Sequence, residues 1–194
     1  MKKLYTIAFA LVVMLSMIMS ATALQYKTIY RQNGVAAYAS WSETNGDISK
    51  YTDLFVQKTD DGTDIGLSIC TYDTVNYYWS CKSGYMFTPD NVFSMEGKGK
   101  LNSASLSAVD INVYDWETGT SETVNVKADW TGKGDVAKGS YKYTSKYGDY
   151  TMKGSSSSVY RDATATGLIG GKDPGTSAYA GLAMFKSSYM EMKK

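Results

Sequence analysis

The sequence predicts an all-β protein: an antiparallel β-sandwich of about ten strands or, as the alternative, a closed or partly closed β-barrel. Three observations carry this. Residues 101–131 read as a long hairpin of period two, turn signals recur throughout the chain, and only two prolines in 194 residues leave the strands uninterrupted. No segment has a convincing helical period, and the short alternating runs between turns are those of sandwiches and barrels.

The elements follow in order. YKTIYR (26–31) reads as a first strand, Asn33-Gly34 as a turn, and VAAYASW (35–41) as a strand with Val35, Ala37, Ala39 and Trp41 on one face. YTDLFVQK (51–58) is next. TDDGTD (59–64) is an acidic stretch whose Asp60, Asp61 and Asp64 have the chemistry to hold calcium, though an Asp-Gly hairpin turn accounts for it more simply. IGLSICTYD (65–73) and NYYWSCKSGYMF (76–87) make a neighbouring pair of strands.

In the central hairpin, Val124, Val126, Ala128 and Trp130 alternate with polar residues on the second arm. On the first arm the apolar set moves from Ala104, Leu106 and Ala108 to Val109, Ile111 and Val113, so the phase slips between Ala108 and Val109. One extra residue flips every later side chain, which places a β-bulge there. Trp116, in the connecting loop DWETGTS, is either pinned onto the sheet or exposed for binding.

Beyond Trp130, TGKGDVAKGS reads as a Gly-rich turn, SYKYTSKYGDYTMK (140–153) as a strand region, and GSSSS (154–158) as a loop or polar strand start. VYRDATATGLI (159–169) is a strand with Val159, Arg161, Ala163 and Ala165 in one row, GGKDPGTS a loop, and YAGLAMFKSSYMEM a closing strand rather than a helix, because Gly181 and Ser187-Ser188 suit a helix poorly.

Lys2 and Lys3, the apolar run Leu4–Met19 and Ala21-Thr22-Ala23 have the layout of a secretory signal peptide, residues 1–23, with a cleavable A-x-A site; a retained N-terminal anchor is the alternative. The mature chain, 24–194, is then a single all-β domain, secreted or held in the cell envelope, with no integral membrane anchor left after cleavage. Losing two lysines takes the formal charge from +1 to about −1. That near-neutral balance argues against nucleic acid and anionic membranes as partners. Cys70 and Cys81 are the only cysteines and, in a secreted chain, read as a disulfide between neighbouring strands. With no histidine there is no Ser-His-Asp or Cys-His arrangement and no His-ligated metal, so no catalytic residue, cofactor or metal site is expected.

Two constellations remain. Tyr141, Tyr143 and Tyr147 share one parity, opposite to Lys142 and Lys146, and offer a platform for stacking a sugar or an extended peptide; the plainer reading is a half-buried strand using tyrosine for its β-propensity. Asp110, Asp115, Glu117, Glu122 and Asp129 lie close together along the hairpin, with Asp110 and Asp129 in polar rows, as a carboxylate-only glycosidase would need.

LNSASL, INVYD, TGTSETVNVKADWTGKG and RDATATG, together with Ala37–Ser42, follow a recurring pattern. It runs L-x-x-A-x-L, V-x-V-Y-D, a Thr/Ser-Gly loop, a strand ending W-T-G-x-G, and R-x-A-x-A-x-G. In this pattern the chain resembles a set of secreted all-β hypothetical proteins of bacteria and archaea. The resemblance implies a shared fold with structural motif residues, and it brings no activity. The sequence thus leads to a non-catalytic extracellular domain that binds a glycan or an envelope protein, with Tyr141, Tyr143, Tyr147 and Trp116 as candidate contacts. A barrel-type carrier of a small apolar ligand and a carboxylate-based glycoside hydrolase are the alternatives.

Overall fold

The computed structural model describes residues 27–97 and 99–193, so the N-terminal segment read as a signal peptide lies outside the described residues. Nine strands account for most of them: β1 (Lys27–Asn45), β2 (Ile48–Thr59), β3 (Thr63–Asp73), β4 (Tyr78–Thr88), β5 (Phe93–Glu96), β6 (Ser103–Asp115), β7 (Ser121–Tyr147), β8 (Tyr150–Ile169) and β9 (Thr176–Lys193). The described residues contain no helix. The strands form one antiparallel sheet in the order β4-β3-β2-β1-β9-β8-β7-β6-β5, and β4 also pairs with β6, so the hydrogen-bonded circuit returns on itself. The all-β antiparallel expectation holds. A circuit closed by only three residue pairs, Lys82↔Asp115, Ser83↔Tyr114 and Gly84↔Val113, has features of both the sandwich and the partly closed barrel. Gly84 makes the closure possible, since a Cβ there would lie 2.3 Å from the Asn112 carbonyl oxygen.

The residues fall into two compact units. The larger comprises Gln32–Ser140 and Ser156–Ser187; the smaller comprises, among described residues, 27–31, Tyr141–Ser155 and 188–193. The larger unit holds the whole hydrophobic core, including Trp41, Leu54, Val56, Ile65, Ile111, Val126, Trp130 and Leu182. These residues alternate along their strands with solvent-facing ones, as a one-sided sheet requires. The central hairpin is present, and its register shifts between Leu106 and Val109, where the phase slip placed the bulge. Cys70 and Cys81 face each other across β3 and β4 and form a disulfide.

Two expected turns are strand interior instead. Asn33-Gly34 lies within β1, and TGKGDVAKGS lies within β7, which is why about ten strands become nine longer ones. At both places glycine serves close packing. A Cβ on Gly34 would meet the Lys58 carbonyl oxygen at 2.5 Å and the Phe185 ring at 2.6 Å. One on Gly132 would meet the Leu101 carbonyl oxygen at 2.3 Å and Arg161 Cδ at 3.0 Å. GSSSS likewise continues β8, and the closing segment is strand, as expected.

The same contacts account for the pattern residues. Arg161 lies beside Gly132 and donates from Nε to the Gly134 carbonyl (3.0 Å) and from Nη1 to that of Lys100 (2.9 Å). Trp130 Nε1 donates to the Tyr38 carbonyl at 3.0 Å, and Trp41 Nε1 to that of Ala165 at 3.3 Å. Gly167 leaves room for the Lys127 carbonyl oxygen, 2.8 Å from where a Cβ would sit. Each buried indole N–H is thereby satisfied, which its position in the core demands.

Candidate functional site

The smaller unit presents tyrosines from four strands on one face. Strands β7 and β8 are joined there by Gly148-Asp149, with Gly148 at φ 54, the positive value that a tight two-residue hairpin turn needs at its first central position. Tyr141 and Tyr143 lie on β7 with ring centroids 5.9 Å apart and planes 13° from parallel. Tyr143 lies over Gly154 of β8, where a Cβ would fall 2.1 Å from the ring; the glycine is the ring's seat. Tyr189 of β9 bonds Met152 Sδ through its hydroxyl (3.1 Å) and packs on Tyr30 of β1 at 6.0 Å. Burial, then the charges of Glu191, Tyr143 and Tyr30, push the Tyr189 phenol up. Lys193 Nζ stands 5.2 Å from the centre of the Tyr150 ring. The half-buried reading of this segment does not hold: Tyr141, Tyr143 and Tyr147 are 61%, 38% and 67% exposed. No described residue of the smaller unit is fully buried, so its sheet is a single layer with solvent on both faces.

Trp116 belongs to the larger unit and is at once pinned and exposed. Its Nε1 donates to Ser83 Oγ at 3.1 Å and its ring meets Tyr114 edge-on at 5.0 Å, yet it is 70% exposed. Its loop is fixed by Asp115, whose carboxylate accepts the backbone N–H groups of Glu117 (2.9 Å) and Thr118 (3.1 Å). These bonds, that from Thr118 first, hold the Asp115 carboxyl below its ordinary range. Other aromatics share this solvent-facing side of β3 and β4. Trp79 stacks on Tyr72 at 4.8 Å and on Tyr51 at 5.5 Å, next to the disulfide, and Tyr85 donates its hydroxyl to Asp64.

Two of the hairpin's carboxylates, Asp110 and Asp129, stand apart. Asp110 accepts from Asn125 Nδ2 (2.7 Å) and Asp129 from Ser105 Oγ (2.6 Å), each across its own rung of the ladder. Asn125 and Asp129 are four residues apart along β7, about 13 Å at strand rise. That exceeds the roughly 5–10 Å span between the two carboxyl groups of glycosidases. Among the described residues no three metal-ligating side chains come together, and Asp64 of the acidic turn is engaged by Tyr85. The larger unit carries open clefts of about 470 Å³, lined by Val35, Lys58, Met95 and Phe185 among others, and about 430 Å³, lined by Lys138, Ser157 and Val159 among others; both include Met184 and Lys186.

No protein-family model matches the chain, and no curated protein or solved structure matches it. The sequence reading found three tyrosines of this exposed face through their shared parity on β7. It missed Tyr30 and Tyr189, which lie far away in sequence, and Gly154, whose missing side chain seats Tyr143. The only signal for these was the high tyrosine count.

Proposed function

We propose that this is a secreted, non-catalytic binding domain of the cell exterior that takes a glycan on the tyrosine face of its smaller unit. The observation that carries the reading is the near-parallel pair Tyr141 and Tyr143, exposed and with one ring seated on Gly154. Flat aromatic faces stack against the apolar faces of pyranose rings, and rings already fixed in the free protein lose little entropy on binding. The Cys70–Cys81 disulfide supports an oxidising compartment, as does the signal-peptide layout of residues 1–23. The resemblance to secreted all-β proteins points the same way.

The test is a glycan array probed with the oxidised mature chain, residues 24–194, beside its Tyr141→Ala/Tyr143→Ala variant. A saturable hit lost in the variant, with the far-ultraviolet spectrum unchanged, is expected. A hit that survives the double substitution, or a variant that unfolds, would show that the tyrosines are not the platform. Binding confined to envelope protein would replace the glycan with a peptide ligand.

A further inference from the structure

The other face of the smaller unit's sheet carries a different chemistry. Its described segments hold six cations, Lys27, Arg31, Lys142, Lys146, Lys153 and Lys193, against two carboxylates, Asp149 and Glu191. The tyrosine contacts fix the parity of each strand. Tyr30, Tyr189, Met152, Gly154, Tyr143 and Tyr141 share the front, and Tyr150 with Lys193 lies there too. Alternation then places Lys27, Ile29 and Arg31 of β1, Met190 and Met192 of β9, Lys153 of β8, and Lys142 and Lys146 of β7 on the back. Asp149 is in the turn and Glu191 has the parity of the front, so the back holds five cations and no carboxylate. All five are exposed, and none forms an ion pair among the described residues.

We infer that this back face docks on the headgroup region of an anionic phospholipid bilayer. Charge complementarity calls for an anionic partner, and the layout favours lipid over a soluble polyanion. In the strand order β1-β9-β8-β7, the cations of β1 stand on one side of Met190 and Met192 and those of β8 and β7 on the other. Ile29, between Lys27 and Arg31, is 45% exposed. A polyanion would leave the exposed Ile29 side chain in water. At a bilayer interface it leaves water while the long cationic side chains reach the phosphates. Each juxtamembrane cation adds about a fivefold gain in partition, falling with salt.

The test is flotation of the mature chain with neutral phosphatidylcholine vesicles and with vesicles containing phosphatidylglycerol, with dextran sulfate as the soluble polyanion probe. Partition onto the anionic vesicles alone is expected, weakening with added salt. Lys142→Gln/Lys146→Gln is expected to lower it about 25-fold, two cations at about fivefold each, while Lys142→Arg/Lys146→Arg retains it. Ile29→Ser is expected to lower vesicle partition several-fold and leave dextran sulfate binding unchanged. Equal partition onto both vesicles, none onto either, or no loss in the glutamine variant would overturn the inference. Indifference of vesicle binding to Ile29→Ser would replace the bilayer with a polyanion.

Discussion

At the scale of single residues, two hydroxyls, one buried and one partly exposed, show how strongly context decides a polar group's contribution. Thr52 is fully buried, opposite Trp41 on one side and Ile69 on the other, and its Oγ1 has no hydrogen-bond partner. A hydroxyl buried without a partner keeps its desolvation cost, and valine fills the same shape without it. Thr52→Val is therefore expected to stabilise the fold by about 1–2 kcal/mol, read as a higher urea midpoint at unchanged slope. A lower midpoint would mean that the hydroxyl is satisfied after all. Tyr160 is the opposite case. Its hydroxyl donates to Asp162 at 2.7 Å and lies 2.8 Å from that of Tyr179, and burial followed by the Asp162 bond and charge pushes its phenol up to about 12. The neutral phenol is the form the fold favours, so its contribution is complete below pH ~10, where the unfolded phenol begins to ionise, and is lost as pH rises to ~12. A phenolate absorbance titration should show a last step near that value, and Tyr160→Phe should remove the step and flatten the loss of stability between pH ~10 and ~12. An unchanged titration in the variant would contradict this assignment.

At the scale of elements, what the sequence reveals divides by how local the cause is. The hairpin of β6 and β7 and the bulge after Leu106 were legible because burial on one face writes its own parity, and a slip in parity has few explanations. The disulfide was legible because two cysteines in adjacent strands have few alternatives. Asn33-Gly34 and the glycines after Trp130 misled, because a glycine freed for a turn and one demanded by a neighbour's backbone look identical in one dimension. Gly34 and Gly132 are short of space, not in need of positive φ, and the atoms that crowd them belong to Lys58, Phe185, Leu101 and Arg161. The closure of β4 on β6 was illegible for the same reason: Gly84 is explained only by Asn112 on a strand it does not adjoin in sequence. In the candidate site, parity along one strand exposed Tyr141, Tyr143 and Tyr147. The tyrosines contributed by β1 and β9 needed the strand order.

At the scale of the whole molecule, the near-zero net charge hid a segregation of charge, because the smaller unit is assembled from three separated stretches of chain. Its tyrosines, lysines and single-layer sheet are the composition of a surface rather than of a core. The two units should accordingly differ in stability. Strands β6 and β7 of the larger unit surround Ile111, Val113 and Val126, none of them accessible to solvent, whereas no described residue of the smaller unit is fully buried. Opening a segment costs the apolar burial and hydrogen bonds it gives up, so single-layer strands open at low free energy while core strands open near the global limit. Native-state hydrogen exchange should therefore find the amides of 141–155 protected about a hundredfold less, or weaker still, than those of 111–113 and 124–128, a gap of roughly 3 kcal/mol in opening free energy. Adding a glycan that occupies the tyrosine face should raise protection in 141–155 selectively, because binding stabilises only the state it recognises. Uniform protection across both sets of amides would show that the strands open as one cooperative body, with the tyrosine face stabilised by more than its own contacts.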